Sequence, residues 1–227
     1  MENGCLICGS ELVYLDSETE MTCAICGKTF MSRARCGKGH YICDGCHTKG
    51  MDTVVRICLS EASRNPIEIL NKLMSQKFCH MHGPEHHVLV GASLLTAYRN
   101  SGGNIDLEAS LKEMISRGSS VPGGACGFWG ACGAGISTGM FVSIVTGSTP
   151  LAGEPWSLSN EMTSLALSEI SKYGGPRCCK RDSYTAILAA VEFCKRKLGV
   201  NMESTPVHCG YSPKNRQCLG ERCPYHS

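Results

Sequence analysis

The chain has no run of eighteen or more apolar residues, and so no stretch able to cross a bilayer as a helix. Its opening residues, MENGCLICGS, lack the basic and apolar regions of a secretory signal, so a cytoplasmic location without membrane attachment is expected. Neither sign of charge is in surplus: 22 Lys and Arg against 20 Asp and Glu leave +2. That balance offers no long-range attraction to nucleic acid or to an anionic membrane. A glycine-rich strand-turn-helix for a nucleotide-like cofactor is missing, which removes support for a methyltransferase. Alternating strand patterns are absent beyond the first fifty residues, and this leaves helical periodicity to build the body.

What is abundant is cysteine, 17 in 227 residues. Most of these thiols stand in C-x2-C or mixed Cys/His groups, so metal ligation accounts for them better than disulfides do. So many metal-binding thiols also suit an anaerobic cell.

Residues 1–48 read as a zinc-binding module with two four-ligand blocks. The first is Cys5, Cys8, Cys23 and Cys26 in CLICG and CAICG knuckles, with Glu11 to Thr22 between them as a polar hairpin. The second is Cys36, His40, Cys43 and Cys46, with His47 as a substitute ligand. This order permits two sequential sites or an interleaved cross-brace. Because each block holds a full set, sequential sites are expected, with two structural zinc ions.

Residues 49–200 read as a helical bundle or orthogonal helical array. Asp52 is expected to cap a helix over 51–64, and Asn65-Pro66 the next. Asp106 should cap a third helix, Ser157 or Ser159 a fourth, and Asp182 the last long one. Cys58 falls on a core face. Cys79-His-Met-His82-Gly-Pro-Glu85-His86-His87 places imidazoles, a thiol and a carboxylate within one turn and a helix start, where neutral histidines could ligate a metal or move protons. GGACGFWGACGAG sets Cys126 and Cys132 in a glycine-rich turn before a buried helix, a setting that favours thiolates. In GPRCCKR, Cys178 and Cys179 adjoin three basic residues and a helix start, which predicts lowered thiol pKa values. One of the pair is expected to reach the site and the other to support it.

Residues 201–227 form a cysteine-rich irregular tail in which Cys209, Cys218 and Cys223, flanked by His208 and His226, are expected to bind zinc or an iron-sulfur cluster. The expected fold is therefore mostly α, with a small zinc ribbon before a helical domain and a metal-binding tail after it.

These motifs together resemble an uncharacterised family of bacterial and archaeal proteins, many from anaerobes, known only as domains of unknown function. In that family a CxxC ribbon precedes a helical domain carrying HGPEHH, GACGxxGxCGA and a Cys-Cys turn. The core from Cys132 more distantly resembles a redox-active family with the signature C, GCAxxG, C and C, from which it departs at Ser137. The combined expectation is a metal-dependent enzyme, with an iron-sulfur cluster in the helical domain or tail, doing redox, desulfuration or sulfur-transfer chemistry on a small or sulfur-containing molecule. Cys126, Cys132, Cys178 and Cys179 would hold the cluster or act as thiols, and His82, Glu85, His86 and His87 would complete coordination or move protons. The alternative is a non-catalytic adaptor or sensor whose ribbon binds a protein or RNA partner. A homodimer is compatible with either.

Overall fold

The computed structural model describes residues 4–47 and 50–227, so the expected boundary at 48/49 lies outside the described residues. The chain begins with β1 (Leu12–Thr22) and β2 (Thr29–Cys36), paired antiparallel with Leu12 opposite Cys36 and Thr22 opposite Thr29. Nearly all their side chains are exposed or half-buried, so the hairpin has no apolar core of its own.

Metal ligands supply the order instead. Glu11 to Thr22 was expected to turn back on itself, but it runs as a single strand, and the Cys23–Cys26 knuckle makes the turn. At about 3.3 Å per residue, such a strand carries the two knuckles to opposite ends of the hairpin. β2 then returns Cys36 to the first knuckle. The ligands therefore interleave: Cys5, Cys8, Cys36 and His40 form one set and Cys23, Cys26, Cys43 and Cys46 the other, each with ligand atoms all within 4.8 Å of one another. This cross-brace replaces the expected sequential sites.

Both sets could hold zinc. The Sγ atoms of Cys8 and Cys36 are 3.9 Å apart, and those of Cys26 and Cys43 3.7 Å. A tetrahedron of ~2.3 Å zinc-sulfur bonds has edges of about 3.8 Å. Backbone amides of Ile7, His40 and Cys43 donate to the sulfurs of Cys5, Cys36 and Cys23 at 3.4, 3.2 and 3.4 Å, which stabilises thiolates there.

Helices form the rest: α1 (Asp44–His47), α2 (Met51–Ser60), α3 (Pro66–Met74), α4 (Glu85–Asn100), α5 (Leu107–Ser119), α6 (Ala125–Phe128), α7 (Gly133–Val145), α8 (Glu154–Ser171) and α9 (Cys179–Phe193). The asparagine and aspartate caps at two of them are as expected: Asn65 Oδ1 accepts from Ile67 N at 3.0 Å and Asp106 Oδ1 from Ala109 N at 3.0 Å. Three other starts differ. α2 follows Gly50 in the left-handed region and stops at Ser60, with Asp52 inside its first turn. α8 starts at Glu154, ahead of both serines, with Pro155 in its first turn. Cys178 precedes α9, and Asp182 lies within the helix, paired to Arg181.

The centre of the body is α4, whose residues from Glu85 to Tyr98 are all buried, with α2, α3, α5, α7 and α9 packed around it. A helix enclosed on every side must be apolar or small-residued all round, as VLVGASLLTA is. Burying a Val or Leu side chain of this kind contributes about 1.5–3 kcal/mol. The tail runs past the α2–α3 loop, where Glu203 N donates to Arg64 O at 2.9 Å, and returns to α9, where Tyr225 and Thr185 hydroxyls meet at 3.0 Å. Among the described residues, no helix is long and apolar enough to cross a membrane.

Ligand interleaving is testable by zinc content. Replacing Cys5 and Cys36 together with alanine should remove one ion and spare the other, whereas replacing Cys5 and Cys23 should lose both. Sequential sites would give the reverse pattern.

Candidate metal centre

Between the head and the helical body lies a cavity of about 510 Å³. His47, His80, His82, His87, Cys126 and Cys179 are on its walls. Four guanidinium side chains, Arg33, Arg35, Arg177 and Arg216, and the rings of Tyr14, Phe128 and Trp129 line it as well.

One end is built by the HGPEHH segment. Proline ahead of α4 fixes the turn, and Glu85 enters the helix fully buried. A Cβ at Gly83 would overlap the Glu85 carboxylate, so glycine is needed here for close approach. Burial alone would raise the Glu85 pKa, but the His80 side chain and a 2.7 Å hydrogen bond from His80 N hold it down at about 2.

Two ligand sets share this carboxylate. In the first, His47, His80 and Glu85 each offer a ligand atom within 4.8 Å of the others. The same three residues carry buried atoms with no hydrogen-bond partner: His47 Nδ1, His80 Nδ1 and Glu85 Oε2. His80 Nδ1 stands 3.4 Å from Glu85 Oε1, and the His47 and His80 rings meet edge to face at 5.4 Å. Two imidazoles and one carboxylate are a donor set for a catalytic zinc or a non-haem iron.

The second set, Cys79, Glu85 and His86, is entirely buried, and a cation already serves it. Lys180 Nζ lies 3.2 Å from Cys79 Sγ, 3.0 Å from His86 Nε2 and 2.9 Å from His80 O, over the Tyr211 ring at 4.8 Å. Lys180 donates to His86 Nε2, so the ring proton is on Nδ1 and is given to Gly83 O at 3.0 Å. Burial, helped by Lys180, depresses His86 to about 3 and keeps it neutral.

His82 and His87 are tied at one nitrogen each. Asn215 Oδ1 already accepts from Gln217 N at 3.0 Å, which fixes its amide as an acceptor toward His82 Nε2 at 3.3 Å. His82 Nδ1 is left as a buried lone pair without a partner. Burial and the nearby Arg177 lower His82 to about 4. His87 gives its Nδ1 proton to Val121 O at 3.1 Å, and a Cβ at Gly133 would overlap its ring, which accounts for the glycine after Cys132.

The cysteines divide. Cys126 and Cys179 line the cavity. Cys132, just before α7, donates to Asp182 Oδ2 at 3.8 Å. Among the described residues, these cysteines join no set of ligand atoms mutually within 4.8 Å. Cys178 faces away, toward the tail. Lowered thiol pKa values were expected, and the opposite is found. Burial pushes Cys132 up to about 12, Cys178 upward and Cys179 well up. The neighbouring cations are engaged elsewhere, Lys180 with Cys79 and His86, and Arg181 with Asp182 Oδ1 at 3.0 Å and Gly174 O at 3.0 Å.

His80 belongs to the segment expected to converge on a metal, and His47 was expected only as a substitute ligand within the head; the role of Lys180 was not found. One signal for Lys180 was available: a lysine in the first turn of a helix opposes the dipole, so a separate interaction must hold it there.

A mostly helical body with a cross-braced head and a buried His/Glu/Cys/Lys junction defines a Cys/His-rich protein whose clusters could bind metal. Residues 54–226 match the family of unknown function DUF5714, and the chain belongs to that family, in agreement with the resemblance to an uncharacterised family. The matched span contains His80, Glu85 and Lys180 and begins after the head and His47. Comparisons with curated proteins and with solved structures returned no match.

Removing the Lys180 ammonium while keeping its stem should leave Cys79, His86 and the His80 carbonyl without their cation. Lys180→Met is expected to cost about 3 kcal/mol or more in denaturant unfolding. A loss below about 0.5 kcal/mol would place the lysine outside the buried network.

Proposed function

We propose that the chain is a metal-dependent enzyme whose reaction takes place in the cavity between head and body. The observation that carries this reading is that ligand atoms of His47, His80 and Glu85 converge, and that His47 Nδ1 and Glu85 Oε2 among these residues are buried without a partner. An unsatisfied buried polar atom is costly, and two on one converging set are best accounted for by a cation. His47, His80 and Glu85 would hold a divalent ion, which supplies polarisation of a substrate oxygen or acidification of a bound water.

The remaining residues act around that position. Arg33, Arg35 and Arg177 favour a small anionic substrate, and Phe128 and Trp129 cover its apolar part. His82 Nδ1 and the neutral His87 ring are set to accept hydrogen bonds from the bound molecule. Cys126 and Cys179 on the same wall support redox, desulfuration or sulfur-transfer chemistry on a sulfur-bearing substrate, and the thiol-rich composition suits an anaerobic cell. The adaptor reading keeps one observation in its favour: Leu12, Val13, Ile25, Phe30 and Met31 of the head are exposed apolar side chains.

Cobalt reports the two kinds of site separately, because thiolate ligation adds an intense charge-transfer band that nitrogen and oxygen ligands do not give. Wild-type protein titrated with cobalt should show an additional site without that band. The site should disappear in Glu85→Gln and His80→Ala, with the head's thiolate bands intact. Binding of a small carboxylate or thiol compound to the cobalt form should perturb its spectrum, and Arg177→Ala should weaken that binding. Thiolate-bound cobalt alone, in wild type and variants alike, would overturn the metal-centre reading and leave the adaptor.

A further inference from the structure

The tail trio Cys209, Cys218 and Cys223 lacks a fourth thiol in sequence, and the fold supplies one. Cys178 lines the same narrow pocket as all three, together with Arg181 and Asn215. We infer that Cys178, Cys209, Cys218 and Cys223 hold a thiolate-bound metal centre, separate from the two in the head and from the cavity.

Three observations support it. First, donors reach these sulfurs as they reach those of the head. At Cys218 the amide of Gly220 donates at 3.4 Å, the same distance as Ile7 to Cys5, and the Asn215 side-chain amide reaches Cys178 Sγ at 3.5 Å. A hydrogen bond to sulfur stabilises the thiolate, the ligating form.

Second, a donor is free. Arg181 is almost wholly buried and lines the pocket, and although its charge is paired with Asp182, its Nη1 has no hydrogen-bond partner. A metal-bound thiolate would accept from that donor. Third, the tail has little regular structure: between residues 201 and 227 only two single 3-10 turns and one isolated bridge, Cys209 to His226, occur, and Met202 and Tyr225 anchor it to the core on either side of the cysteines. A metal joining three points of that segment to the start of α9 fixes it as the head's metals fix the hairpin.

Spacing bears on the kind of metal. Among the described residues, no three of these sulfurs lie mutually within 4.8 Å, in contrast to both head sites. A single tetrahedral ion needs edges of about 3.8 Å, whereas an iron-sulfur cluster spreads its thiolates farther. The pocket that the four line is about 20 Å³, so a cluster would need the tail to part, and a zinc ion would need the sulfurs to close in. Either occupant is the same four-thiolate centre.

Protein made and purified without oxygen should contain metal beyond the head's zinc, as iron with acid-labile sulfide for a cluster or as further zinc for an ion. Cys218→Ala and Cys178→Ser should each lose that portion and keep the head's zinc and the helical circular dichroism. Cys132→Ala and Glu85→Gln should keep it, so that failure here and failure of the cavity's His/Glu site are told apart. Asn215→Ala, which removes the amide 3.5 Å from Cys178 Sγ, should shift the absorption of the iron form or of its cobalt substitute without loss of metal. Wild-type protein with metal in the head and cavity only, or a Cys218→Ala variant with unchanged metal content, would overturn the inference.

Discussion

A carboxylate sealed from water governs the centre of this molecule. Glu85 is wholly buried and held ionised, and an isolated carboxylate in such surroundings would cost several kcal/mol. It is tolerated because donors and positive groups arrive from separate parts of the chain. The His80 amide and ring come from the loop before α4, the His86 ring from α4 itself, and the Lys180 ammonium, through His86, from the first turn of α9. His47 approaches from the end of the head. Lose the charge balance at this point and the reason for α1, the start of α4 and the start of α9 to meet is weakened.

Different physics holds the two regions. The body is a conventional apolar core around α4, whereas the head exposes Leu12, Val13, Phe30 and Met31 and encloses mainly cysteines. Head and body touch through small contacts: Arg33 over Phe128 at 5.2 Å, Arg177 over Tyr14 at 5.4 Å, and Gly123 N donating to Asp44 Oδ2 at 3.0 Å. Exposed cation-π contacts contribute about 0.5–1 kcal/mol each. The floor of the cavity is therefore fixed by buried charge, while its head-side wall rests on these weaker contacts and on His47.

The legible parts of the fold were those written in local chemistry. Asn65-Pro66 and Asp106 announced their helices because a cap and its helix are neighbours in sequence, and HGPEHH announced a polar helix start. The ligand types of the head were equally plain, but their pairing was not, because spacing alone does not say that Leu12–Thr22 forms one strand, with an irregularity between Tyr14 and Thr19, and not a closed turn. Long-range meetings were illegible for the same reason. Nothing near Lys180 indicates that its ammonium ends between Cys79 and His86, a hundred residues earlier. Thiol reactivity was misjudged because sequence shows adjacent basic residues without showing whether burial outweighs them.

The adjacent pair Cys178-Cys179 shows how one peptide unit separates two environments. Cys178 is extended, with φ −141° and ψ 101°, and Cys179 is the first helical residue, so their side chains leave in different directions. One sulfur turns to the tail pocket and the other to the cavity wall. Asn215 spans the same divide: its Nδ2 reaches Cys178 Sγ at 3.5 Å and its Oδ1 meets His82 Nε2 at 3.3 Å. Cys178 Sγ and His82 Nε2 thus hold opposite ends of one amide, which cannot turn independently. The cavity and the cysteine tail are therefore chemically distinct but mechanically joined, and the cysteine pair and this asparagine are the join.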